Sequence, residues 1–137
     1  MKKLFVVLLV AMFAMPVFAV NVDERLLDAI AIVESENNDH AVGDNGNAVG
    51  RYQLWRTYVD DVNRISHKNF SYDDRRDPVK AREMVRIYLR HYGRVYERRT
   101  GKQATSEVLA RIHNGGPRGY QKTATLKYWM KIQKALK

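Results

Sequence analysis

Residues 37 to 50 read NNDHAVGDNGNAVG, and this stretch decides what the chain can build. Asn, Asp and Gly dominate it. Gly reaches backbone conformations that other residues avoid, and Asn and Asp hydrogen-bond their own backbone, so such a segment breaks helices and makes turns. Asn45-Gly46 is a strong hairpin signal. Ala41-Val42 and Ala48-Val49 supply two short apolar arms. On either side, apolar residues recur at helical spacing. The expected class is therefore α+β, mostly α, with about five helices and a small β-hairpin near 41–50.

The first helix carries Leu26, Leu27, Ile30 and Val33 on one face, with Asn21 and Glu24 spaced as a capping box. At about 100° per residue, Glu34 falls between Ile30 and Leu27 around the axis, while Glu36 points away. Leu54, Tyr58, Val62 and Ile65 predict a second helix after the hairpin. Asp77-Pro78 then starts the longest helix, through Ala81, Val85, Tyr88, Leu89, Tyr92 and Tyr96 to a stop near Thr100-Gly101. Arg82, Arg86, Arg90, Arg94 and Arg98 recur along it as a basic ridge, which is either a polyanion track or a solvated face. Thr105 or Ser106 caps a short helix through Val108, Leu109 and Ile112. It runs into His113-Asn114-Gly115-Gly116-Pro117-Arg118-Gly119, whose glycines and proline stop it and free backbone groups to face a ligand. A last helix carries Leu126, Trp129, Ile132 and Leu136, with Tyr128 and Trp129 as core or rim residues.

The N-terminus has the layout of a secretory signal peptide. Lys2 and Lys3 precede an apolar run from Leu4 to Phe13, then Pro16 and Val17-Phe18-Ala19. Residues 1–19 are expected to be removed, leaving 20–137 as one domain in the periplasm or outside the cell, with no stable membrane insertion. A retained anchor is the alternative, although the run is only marginally long enough to span a bilayer. The chain has no cysteine, so an exported domain must hold together by packing, and thiolate catalysis and thiolate zinc sites are excluded. The net charge of +9 suits an acidic polymer or surface: nucleic acid, anionic lipid or bacterial cell wall. Asp39, Asp44 and Asn47 hint at a calcium loop, but the EF-hand spacing and its closing Glu are missing, so neither a metal nor a cofactor is expected.

The chemistry-bearing residues are Glu34 and Asp44. Cleavage of a glycosidic bond needs one carboxyl group protonated and one ionised. Burial disfavours the charged form of a carboxyl group, and Glu34 sits on the apolar stripe, as a general acid should. Asp44 sits among Asn and Gly, whose donors keep a carboxylate ionised.

Val33-Glu34-Ser35, Asp44 with Gly46, and Gly50-Arg51-Tyr52-Gln53-Leu54 together resemble the active-site segment of invertebrate-type (destabilase-like) lysozymes. Ala110 to Gly119, reading ARIHNGGPRG, resembles a signature of the same family, and Ala124-Thr125-Leu126 with Tyr128-Trp129 and Lys131 resembles its closing helix. The resemblance covers essentially all of 20–137. It implies a lysozyme-like fold and hydrolysis of the β-1,4 bond between N-acetylmuramic acid and N-acetylglucosamine in peptidoglycan. It gives Glu34 the role of general acid and Asp44, across a one-residue gap before Tyr52, that of nucleophile or stabilising carboxylate. Tyr52, Gln53, His113, Asn114, Gly115 and Gly116 match positions that border the sugar cleft. Animal members are rich in cysteine and this chain has none, as in a cysteine-free bacterial version.

Three other readings stay open on the sequence. A lytic transglycosylase cuts the same bond with Glu34 alone and leaves a 1,6-anhydro sugar. A non-catalytic cell-wall binding protein needs neither acid. A nucleic-acid binder fits the charge, but the arginine ridge lacks interleaved stacking aromatics, so glycan strands of peptidoglycan are the expected partner of a monomer.

Overall fold

The structure is a computed structural model and describes residues 19–137. Apart from Ala19, the expected signal peptide lies outside the described residues. Five α-helices and a two-stranded antiparallel sheet make up the fold: α1 (Glu24–Ser35), β1 (Val42–Gly43), β2 (Ala48–Val49), α2 (Arg56–Ser66), α3 (Pro78–Thr100), α4 (Ser106–Gly115) and α5 (Thr125–Ala135).

The 23-residue α3 is the axis of the domain, about 34 Å long at 1.5 Å per residue. Its start is as the sequence predicts: Asp77 caps it, accepting from the N–H groups of Val79 and Lys80, and Pro78 occupies the first turn. Gly101 at φ +67° ends it. α2 and α4 pack on α3, and α5 packs on α4 and α1. Leu26, Leu27, Ile30, Val59, Val62, Met84, Leu89, Leu109, Ile112 and Ile132 are fully buried between them. This one apolar cluster is the stabilising core that a cysteine-free chain needs.

Two expectations shift. The cap of α1 is Asp23, whose side chain accepts from the Arg25 N–H, and not Asn21. Val22 is buried, so the chain enters the helix two residues later than a 21–24 capping box would require. The hairpin arms also move by one on the first side. Val42 pairs with Val49 and Gly43 with Ala48. Asp44 (φ +48°), Asn45 (φ +53°) and Gly46 (φ +93°) form the connection as a left-handed 3-10 turn, in which Asn, Asp and Gly are the residues that tolerate positive φ. A further bridge joins Val49 to Leu54 and folds the chain back beneath the hairpin.

The basic ridge of α3 is partly an interhelical device. Arg82 reaches Glu24 (2.6 Å) and Asp28 (2.8 Å) on α1, and Arg86 also pairs with Glu24. Its first two arginines therefore tie α3 to α1.

Candidate active site

Glu34 ends the apolar stripe of α1, and α1 stops one residue later, at Ser35, because Glu36 (φ +54°) and Asn37 (φ +64°) turn left-handed. Ser35 anchors the turn beyond the helix. Its hydroxyl donates to the Arg51 carbonyl (2.9 Å) and accepts from the Asn38 N–H (3.0 Å). Arg51 in turn grips Asp39 through two nitrogens, at 2.6 and 3.0 Å. The end of α1 and the segment after the hairpin are thus locked together beside Glu34.

The hairpin is held from below by Arg75, a buried cation with no carboxylate partner among the described residues. Its guanidinium donates to the carbonyls of Tyr72 (2.6 Å), Leu54 (3.0 Å) and Asn47 (3.3 Å). Burial lowers its pKa below that of a free arginine. Three carbonyl dipoles supply the compensation that a counter-ion would otherwise give. Gly50 makes this approach possible. It lies at φ +79°, and a Cβ there would stand 1.9 Å from the Arg75 carbonyl oxygen.

Between the hairpin, α2 and α4 lies a cleft of about 980 Å³. Glu34 and Asp44 both line it, Glu34 from the end of α1 and Asp44 from the hairpin turn. The Glu34 side chain is 18% exposed, whereas Asp44 is open to solvent. Gln53, His113, Asn114 and Gly116 line the same cleft, and α4 with its C-cap forms the wall facing the hairpin.

Tyr52 and Gly115 do not reach it. Tyr52 is fully buried, and its hydroxyl accepts a hydrogen bond from Arg82 (3.2 Å). Gln53 adopts φ +49°, so the chain presents Gln53 to the cleft and turns Tyr52 beneath the hairpin into the core. Gly115 faces the start of α5, where a Cβ would meet Thr125 at 2.6 Å. It provides close packing of α4 against α5 and no group to the cleft.

The structure brings the expected His113 to Glu34 and adds Tyr58, Tyr88 and Trp55, which spacing does not single out for the site. His113 Nε2 lies 3.5 Å from Glu34 Oε1, and the His113 side chain is 4% exposed. Its Nδ1 is 3.3 Å from the Tyr58 hydroxyl. Burial, and then the neighbouring Tyr88, Glu34 and Asp61, push the Tyr58 phenol well above its ordinary pKa, so it keeps its proton. The two ring nitrogens of His113 thus face Tyr58 on one side and Glu34 on the other. Tyr58 also stacks on Tyr88 at 4.0 Å, and Tyr88 lies against Tyr92 at 4.6 Å. Tyr92 donates to Asp61, which also pairs with Arg64; Asp61 and Arg64 line the far end of the cleft. Trp55 stands at the rim, 45% exposed, where α2 begins. The helical spacing of Tyr58 and Tyr88 is visible in the sequence, but it reads equally as core.

The architecture and the sequence have relatives. The destabilase family matches residues 23–135. The lysozyme of Magallana gigas is 46% identical over 56 residues, covering 41% of this chain and 38% of its own. The lysozyme of Ostrea edulis is 33% identical over 85 residues, covering 61% of this chain and 57% of its own. The matched stretches thus span less than two-thirds of these relatives' lengths. Among solved structures, the Meretrix lusoria lysozyme in complex with Aeromonas hydrophila PliI superposes with a TM-score of 0.69 at 28% identity, covering 82% of this chain and 89% of that one. With a family match over nearly all the described residues and a fold shared with a solved lysozyme, this chain belongs to the destabilase family.

Proposed function

We propose that the protein is a glycoside hydrolase of the lysozyme type, cleaving the β-1,4 bond between N-acetylmuramic acid and N-acetylglucosamine in peptidoglycan. The observation that carries this reading is the pair of carboxyl groups on one cleft: Glu34 largely sheltered beside His113, and Asp44 open on the hairpin turn. Unlike surroundings suit unlike roles. Glu34 gives its proton to the glycosidic oxygen as the bond to the anomeric carbon breaks. Asp44 meets the positive charge that develops on that carbon, as nucleophile or stabilising carboxylate. Gln53, Asn114 and the backbone at Gly116 offer hydrogen bonds to the sugar, and Trp55 offers a stacking face at the rim. Residues 1–19 act as an export signal, and the domain works as a monomer on wall glycan outside the cytoplasm.

Clearing of a peptidoglycan suspension tests this directly. The parent protein clears it, Glu34→Gln does not, and Asp44→Asn is reduced at least a hundredfold. Asp44 makes no side-chain hydrogen bond among the described residues, and this favours a second reading, in which Glu34 acts alone as in lytic transglycosylases. Full activity of Asp44→Asn would select that reading.

A further inference from the structure

Tyr128 carries the one buried side-chain polar atom without a hydrogen-bond partner among the described residues. Its ring is buried where α5 meets α1 and α4, and it lies 6.5 Å from the His113 ring with their planes 30° apart. An unsatisfied buried hydroxyl costs free energy and calls for a reason. The reason is next to it. Burial first, and then the nearby Glu34, push the Tyr128 phenol well above its ordinary pKa. The Tyr128 ring stands beside His113, and His113 Nε2 is 3.5 Å from Glu34 Oε1, so the unpaired hydroxyl belongs to the same buried cluster as the Glu34 carboxyl group.

We propose that Tyr128 is a positioning residue for Glu34, a proton-retaining donor held ready for the carboxylate that forms when Glu34 gives up its proton. The inference rests on reading Glu34 as the proton donor. Before the bond breaks, a Glu34 that holds its proton has little need of a second donor. As the glycosidic C–O bond breaks, the proton passes to the leaving oxygen and negative charge appears on Glu34. Tyr128 from α5 and His113 from α4 then donate to it from two sides. The other titratable groups nearby oppose that charge or leave it alone. Asp44 on the hairpin and Asp61 on α2 bring carboxyl groups and no donor of fixed positive charge, and Tyr58 on α2 and Tyr88 on α3 keep their protons and act only through His113 or through stacking. A donor that strengthens only as charge develops lowers the barrier, because it favours the transition state over the ground state.

The test compares pH–activity profiles on peptidoglycan for the parent, Glu34→Gln and Tyr128→Phe, together with thermal melting. Tyr128→Phe removes an unpaired hydroxyl and no packing, so its melting temperature should equal or exceed the parent's. Its maximal rate is expected to fall about tenfold, and its alkaline limb to move up by about one pH unit, since the charged form of the acid has lost a donor. A profile that superimposes on the parent's overturns the proposal. A Tyr128→Phe protein that fails to fold also overturns it, because the hydroxyl would then be structural. As a second arm, 3,5-difluorotyrosine at position 128 is a stronger donor of nearly the same size and should move the limb down; no movement counts against the proposal. Activity retained in Glu34→Gln is a different failure. It removes the proton-donor reading itself and is distinguishable from any Tyr128 result.

Discussion

His113 Nε2 and Glu34 Oε1 lie 3.5 Å apart where α4 meets α1, and the Tyr58 hydroxyl stands on the other ring nitrogen of the same histidine. Glu34 and Tyr58 thus face the two ring nitrogens of one buried histidine, and the wall of the cleft becomes part of the Glu34 environment. Replacing His113 by Phe keeps an aromatic ring and removes both nitrogens. The expected result is a fall in kcat of about tenfold or more, with stability lower by about 1 kcal/mol from the orphaned Tyr58 hydroxyl. Steady-state kinetics and urea unfolding check the two parts separately.

Trp55 separates binding from chemistry. It is exposed at the rim, so Trp55→Ala should change stability by less than about 0.5 kcal/mol. Loss of a stacking face worth about 1 kcal/mol raises KM about fivefold and leaves kcat nearly unchanged. Kinetics on a soluble peptidoglycan fragment would show the split.

The hairpin that carries Asp44 depends on Arg75 and Gly50. Arg75→Met removes a donor from the carbonyls of Asn47, Tyr72 and Leu54, of which Leu54 keeps the Val49 N–H, and should cost about 2–3 kcal/mol. Gly50→Ala should cost more, about 3 kcal/mol or above, since it combines a positive φ with a Cβ 1.9 Å from the Arg75 carbonyl. Both variants should lose activity by a larger factor than Trp55→Ala, because they displace the hairpin turn as well as destabilising the fold. Chemical denaturation and clearing rates on the same samples provide the check.

Acid should loosen the locks beside the site. The Arg51 hydrogen bond holds the Asp39 carboxyl below its ordinary pKa, and the Lys80 hydrogen bond does the same for Asp74. Each group binds a proton less readily folded than unfolded. Their stabilisation is therefore complete above about pH 4 and lost as the pH falls through the lowered folded values. Both carboxylates are partly exposed, so each contributes under about 1 kcal/mol. Asp39→Asn should flatten part of the decline in stability below pH 4, measured as urea midpoints from pH 6 to pH 2.

Much of this molecule is legible in its residues. The apolar spacing of α1, the Asp77-Pro78 start of α3 and the helix-breaking stretch before Gly50 each act through local physics, and each appears where the sequence puts it. Glu34 is legible for the same reason, since position on a helix follows from counting residues. What spacing cannot supply is contact between distant segments. Tyr58, Tyr88 and Tyr128 look like core residues and all pack in or against the core, yet the crossing of α2, α3, α4 and α5 brings Tyr58 and Tyr128 to His113. Arg75 reads as one charge in a polar turn, and only the folded hairpin makes it a buried clamp. The motif around Tyr52 points it at the cleft. The left-handed turn at Gln53 reverses which of the two residues faces the cleft.

In the proposed reaction Glu34 donates a proton to the departing glycosidic oxygen, and water then adds to the anomeric carbon. Mass analysis of the fragments released from purified peptidoglycan by the parent and by Glu34→Gln is the most direct measurement. The predicted result is muropeptides with reducing-end N-acetylmuramic acid from the parent, and none above background from Glu34→Gln. Fragments ending in 1,6-anhydro-N-acetylmuramic acid, or undiminished release by Glu34→Gln, would contradict it.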